Sequence, residues 1–110
     1  MLRDQIVVIS AHLDHVGVKA DAKPGEDAIF NGAMDNATGT ATLLEAAAAL
    51  AKTPPRRTVL FLATTAEESG LLGASYFAAN PTVEARRIIA DVNIDMPILT
   101  CDFGDVVAFG

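Results

Sequence analysis

Three short apolar runs, IVVI (residues 6–9), VLFLA (59–63) and IIADVNI (88–94), set the strongest limit on the fold. They are rich in β-branched or aromatic residues and almost unbroken in hydrophobicity, which suits strands covered on both faces. Between the first two, NATGTATLLEAAAALAK (36–52) places Leu43, Ala47 and Leu50 on one helical stripe. Asn36 or Thr38 is its expected cap and Pro54-Pro55 its stop. Between the second and third, GLLGASYFAAN (70–80) sets Leu72, Tyr76 and Phe77 at helical spacing and closes at Asn80-Pro81. Strand, helix, strand, helix, strand predicts an α/β fold: a mainly parallel sheet with right-handed crossovers and covering helices. A last run, DVVAFG (105–110), reads as a fourth strand. Residues 16–32 are polar, glycine-containing and aperiodic, a surface loop whose length points to a functional role.

With 110 residues the chain is one domain at most, near the low end for an α/β enzyme, so it is a small module or a piece of something larger. Fourteen acidic against eight basic residues give a net charge of −6, which excludes a nucleic-acid surface because nothing would neutralise phosphates. The run LLEAAAALA is too short and too rich in alanine to span a bilayer, and no targeting signal precedes it. The single cysteine, Cys101, rules out an internal disulfide and reads as core packing.

Both histidines fall in SAHLDHVG (10–17). His12 and Asp14 follow the first strand, Asp35 stands at the start of the first helix, Glu67-Glu68 follow the second strand, and Asp95 ends the third. Ligands of open α/β sheets collect at the carboxyl ends of strands, so these side chains should converge. One histidine among five carboxylates repels itself unless cations or protons intervene. Imidazole with carboxylates suits zinc first, and also manganese or cobalt. Taken singly, His-x-Asp is usually a satisfied pair, adjacent glutamates a solvated face, and NID a strand end. The joint placement carries the reading, together with GAMDNATG (32–39), whose small residues allow close backbone approach around Asp35.

These segments, in this order and over nearly all of the chain, resemble the co-catalytic two-zinc aminopeptidase family, which also holds glutamate carboxypeptidases, glutaminyl cyclases and the non-catalytic transferrin receptor. The resemblance implies that residues 1–110 are a partial zinc metallopeptidase catalytic domain. SAHLDHVG is similar to the first metal motif, implying His12 as a zinc ligand and Asp14 as its supporting carboxylate. GAMDNATG resembles the motif whose aspartate, here Asp35, bridges the two metals. TAEESGLLGASYF (65–77) implies Glu67 as general base and Glu68 as ligand of the second zinc. VNIDM (92–96) implies Asp95 as completing the first zinc site.

The family's second zinc also takes a histidine from a loop near the end of the catalytic domain, and no histidine follows His15 here. That leaves Asp35 and Glu68, so the expectation is two zincs per complete site but one or none on this chain, and an inactive fragment. His15 is read as a hydrogen-bonded wall residue. A peptide with a free N-terminus is the implied substrate. Strands that flank this segment in the family are missing, so the chain is expected to associate with further copies of itself. Localisation is not legible, although the resemblance implies an exported parent, periplasmic or extracellular. Two alternatives stand beside this reading. One is a non-catalytic binding or assembly domain of the same fold. The other is a metallo-β-lactamase-like hydrolase, whose motif needs a histidine where Ser10 stands.

Overall fold

A computed structural model describes residues 2–97. In chain order its main elements are β1 (Ile6–His12), β2 (Gly17–Val18), β3 (Ile29–Phe30), α1 (Thr38–Lys52), β4 (Thr58–Thr64), α2 (Leu72–Ala79) and β5 (Ile88–Asn93). The three long strands form a parallel sheet in the order β4-β1-β5, as the strand-helix alternation predicts. Because β1 has a partner on each side, it carries most of the core: Ile6, Val8 and Ala11 are buried, and so are Ser10 and His12. The strand outlasts the apolar run because the ladder is a backbone interaction. Pairing with β4 continues through Ser10↔Leu62 and Ala11↔Ala63 to His12↔Thr64. His12 is thereby the last residue of the central strand.

Helix α1 covers one face, burying Leu43, and Ala47 and Leu50 share a groove with Val59 and Phe61 of β4. The expected cover on both faces is not met among the described residues. The opposite face opens into a cavity of about 510 Å³ walled by Val8, Leu62 and Ile88 from the strands and by Ala74 and Phe77 from α2. Leu72 and Tyr76, placed by periodicity on a covering stripe, are 56% and 70% exposed, because α2 turns Ala74, Ser75, Phe77 and Ala78 toward this cavity instead.

Residues 16–32 are not wholly irregular. β2 and β3 pair antiparallel through Gly17↔Phe30 and Val18↔Ile29, and the Lys19 N–H donates to the Ala28 carbonyl at 2.9 Å. Strands of two residues are too short to show alternation in a sequence. The fourth strand expected at 105–110 and Cys101 lie outside the described residues.

The start of α1 is joined to the segment after β5 by Asn36, which is 1% exposed. Its Oδ1 accepts the N–H groups of Gly39 (3.0 Å) and Met96 (3.1 Å), and its Nδ2 donates to the Ile94 carbonyl at 3.0 Å. Neither expected cap holds the N-cap position, which falls to Ala37 without a side-chain cap; Asn36, one residue earlier, takes the Gly39 N–H because its side chain is drawn in by the bonds to Ile94 and Met96. Thr38 instead donates its hydroxyl to the Met34 carbonyl. Gly39 is required by this contact, since a Cβ there would lie 2.6 Å from the Ile94 carbonyl oxygen and collide with the Asn36 amide. Gly39→Ala is expected to destabilise the chain by about 1–3 kcal/mol, the usual cost of overpacking. A lowered urea midpoint would show it; an unchanged midpoint would mean that the helix start can shift without loss.

Candidate metal centre

His12 ends the central strand with its ring almost fully buried. Its Nδ1 lies 3.1 Å from the backbone carbonyl of Asp14. A carbonyl only accepts, so Nδ1 carries a proton, and in its neutral form the ring turns the bare lone pair of Nε2 inward. That atom is buried with no hydrogen-bond partner, and two carboxylate oxygens face it: Asp35 Oδ1 at 3.2 Å and Asp95 Oδ1 at 3.4 Å. Three electron-rich atoms pointing at one another need a cation or a proton between them. One imidazole nitrogen and two carboxylate oxygens, all within 4.8 Å of one another, fit zinc with three protein ligands.

Local backbone explains how distant carboxylates meet here. Asp35 sits in a distorted helical turn, Ala33–Ala37, where its own φ/ψ of −109°/95° is extended. Asp95 follows β5, and the next residue, Met96, has φ +44° while its N–H is held by Asn36. Glu67 follows Ala66, at φ +55°, in the turn after β4. Left-handed backbone at non-glycine residues costs of order 1–3 kcal/mol and gathers at functional sites.

Asp14 meets the site through both its backbone and its side chain. Its carboxylate is 3.6 Å from His12 Nδ1, farther than its own backbone carbonyl, which makes the hydrogen bond. The carboxylate oxygens instead accept the N–H groups of Glu67 (3.2 Å) and Glu68 (3.4 Å). Burial raises the Asp14 pKa, but these backbone donors and the nearby His12 outweigh it and hold the carboxyl below its usual range. One residue thus orients both the His12 ring and the Glu67-Glu68 turn.

His15 was read as a hydrogen-bonded wall residue, and its Nδ1 is 2.6 Å from Glu68 Oε1. The same nitrogen lies 3.9 Å from Asp35 Oδ2, and His15, Asp35 and Glu68 form a second group whose ligand atoms are mutually within 4.8 Å. Asn36 was noticed in the sequence only as a helix cap; its bonds to Ile94 and Met96 cross some sixty residues, a relation no local pattern displays.

A parallel α/β sheet with two histidine-carboxylate clusters meeting at its strand ends defines an α/β domain with a candidate metal centre. The chain belongs to peptidase family M28, whose family model matches residues 2–100. It is 35% identical over 92 residues to the aminopeptidase YwaD of Bacillus subtilis, covering 83% of this chain and 18% of that protein. It is also 35% identical over 108 residues to an aminopeptidase of Pseudomonas aeruginosa, covering 97% of this chain and 18% of the relative. A Leptosphaeria maculans protein named as a probable zinc metalloprotease is 40% identical over 65 residues, 59% of this chain and 15% of its own length. The chain thus spans less than a fifth of each of these relatives. No solved structure gives a significant match. Family membership sets aside the metallo-β-lactamase-like alternative, and the Ser10 hydroxyl is engaged with Asp91 (3.0 Å) and Asn93 (3.2 Å) away from the cluster.

The metal-stripped chain should show the electrostatics directly. Burial alone would lower the His12 pKa, but Asp95, the Asp14 carbonyl and Glu67 outweigh it and raise it above 6.5. A raised folded pKa contributes stability that is complete below the unfolded value and is lost as pH climbs through the folded one. Urea midpoints of the stripped chain should therefore fall from about pH 6.5 upward, by more than in His12→Gln. Equal pH dependence in the two proteins would show that the buried ring is not held protonated.

Proposed function

We propose that residues 1–110 form the metal-holding part of the catalytic domain of a zinc-dependent exopeptidase, an aminopeptidase acting on peptides with a free N-terminus. The observation that carries this reading is the buried His12 Nε2, without a hydrogen-bond partner and faced by Asp35 and Asp95. Membership of peptidase family M28 and the names of the curated relatives support the reaction class. Zinc held there by His12, Asp35 and Asp95 would supply Lewis acidity, making water a better nucleophile and a carbonyl more electrophilic.

The remaining chemistry belongs to the chain. Glu67 borders the same open cavity as His12, and Asp14 fixes its backbone. From that position its carboxylate takes the proton of the attacking water and returns it to the leaving amine. Glu68, from the same turn, stands with Asp35 and His15 on the other side of the centre. Asp35 joins the two sides, its two oxygens turned toward different imidazoles.

In the whole enzyme, Glu67→Gln should keep its zinc by elemental analysis while turnover of an aminoacyl anilide drops by roughly 10²–10⁴-fold, the range for loss of a general base. Normal turnover with metal retained would place the base elsewhere. A whole protein that binds zinc yet hydrolyses no peptide would support the non-catalytic alternative.

Self-association is part of the same proposal. The open cavity face has apolar walls, and β4 and β5 are the edges of the described sheet, surfaces that favour pairing with another copy. Light scattering at micromolar concentration should give a dimer or larger species; a stable monomer would count against it.

A further inference from the structure

We propose that the amino ends of the three parallel strands form a docking surface for a short acidic segment of another polypeptide, held by the arginines gathered there. This surface lies at the opposite ends of the strands from the metal centre and is independent of it. All five arginines of the chain stand just before a strand: Arg3 before β1, Arg56 and Arg57 before β4, Arg86 and Arg87 before β5. Along the sequence they are dispersed. Parallel pairing in the register Ile6↔Thr58 and Ile6↔Ile88 sets the three strand starts side by side. In residues 2–5, 53–57 and 84–87, which lead into the strands, the carboxylates are Asp4 and Glu84, so five positive charges less two leave an excess of +3. The whole chain carries −6, so the remainder carries −9.

Most of this positive charge is not met inside the protein. Arg86 pairs with Glu84 at 2.9 Å, an exposed contact between residues two apart. Arg57 donates its Nε–H to the Gln5 side-chain oxygen at 2.8 Å, and Arg87 donates its Nε–H to the Asp4 carbonyl at 2.8 Å. Both acceptors are neutral groups: they fix the side chain and leave the charge to be answered from outside. Arg3 and Arg56 are exposed, and among the described residues no hydrogen bond or ion pair engages either side chain.

The surroundings of the arginines select a peptide over other anions. A hollow of about 430 Å³ sets Arg3 and Arg57 beside Leu50, Val59 and Phe61, and one of about 510 Å³ sets Arg86 and Arg87 beside Ile89. Cations next to hydrocarbon suit a ligand that carries carboxylates and aliphatic side chains together, which a phosphate chain does not. Arginine at all five positions fits planar, two-pronged recognition of carboxylates. Arg57 and Arg87 lead into strands on either side of β1, two strand spacings or roughly 10 Å apart at the backbone. An extended segment covers that span in about three residues. Size sets a further limit. A membrane or a nucleic-acid duplex is larger than this end and would also meet the −9 of the remainder, which repels over a Debye length of about 8–10 Å. A short acidic segment would not.

The probe is a labelled peptide alternating glutamate with leucine or alanine, blocked at both ends so that it offers no free N-terminus to the metal centre. Fluorescence anisotropy with the 110-residue chain should show saturable binding that weakens as salt rises. The same peptide with glutamine in place of glutamate should bind about 10-fold more weakly or worse. Arg3→Glu combined with Arg56→Glu removes none of the hydrogen bonds described above, so the variant keeps the fold, which circular dichroism checks. It should cost roughly 10-fold or more in affinity, because two exposed attractions become repulsions. Absence of saturable binding, equal binding of the glutamine peptide, or an affinity unmoved by the double reversal would overturn the proposal. Tighter binding of a DNA duplex, or of vesicles containing an anionic phospholipid, would overturn the assignment of a polypeptide partner. None of these outcomes bears on the zinc-peptidase reading.

Discussion

The buried amide of Asn36 is the interaction on which the rest of the centre depends. Its three hydrogen bonds tie the first turn of α1 to the chain leaving β5, and Asp35 and Asp95 are the immediate neighbours of the residues so joined. A neutral amide can do this where a charged group could not, because it offers donors and an acceptor without adding charge beside the carboxylates. Each bond is made out of water, where an unsatisfied partner would cost about 1–3 kcal/mol. The amide is therefore both a fastener and a gauge, setting the spacing between two carboxylates that lie far apart in the sequence.

Around that fastener the site is organised by opposition of like charges. Asp14, Asp35, Glu67, Glu68 and Asp95 are drawn together with two imidazoles, and backbone donors quiet only one of the five, Asp14. Of the others, Asp35, Glu68 and Asp95 fall into two groups that share Asp35, and Glu67 lies in neither. Such a cluster is electrostatically unfavourable without a cation or protons, so a metal held there, as proposed, would also stabilise the sheet carrying it. His12 belongs to both accounts, as the last rung of the central strand and as the buried nitrogen facing Asp35 and Asp95.

Legibility in the sequence followed the range of each interaction. The runs at 6–9, 59–63 and 88–94 marked the strands because burial of a central ladder selects β-branched and apolar residues locally. Their ends were missed where polar side chains, Ser10 and His12, continue a ladder that backbone atoms alone hold. Leu43 was correctly placed in the core, whereas Leu72 and Tyr76 were not: periodicity identifies an apolar stripe but not what lies opposite it. The short β2-β3 ladder left no pattern to read. Asp14 was expected beside His12, and it is; that its carbonyl bonds the ring while its carboxylate holds the Glu67-Glu68 turn is a division of labour within one residue that spacing does not encode.

The sequence by itself determined the α/β class, the family, and the identities of His12, Asp14, Asp35, Glu67, Glu68 and Asp95 as candidates, because each is embedded in a short motif at a strand end or helix start. Tertiary structure alone decided which of them face one another. The lone pair of His12 Nε2 faces inward because Nδ1 finds a carbonyl, and His15 meets Glu68 and Asp35 although more than fifty and about twenty residues separate them. Charge and residue type are properties of single positions and can be read along a chain. Distance and lone-pair direction arise when strands pair, and they are the quantities that metal binding depends on.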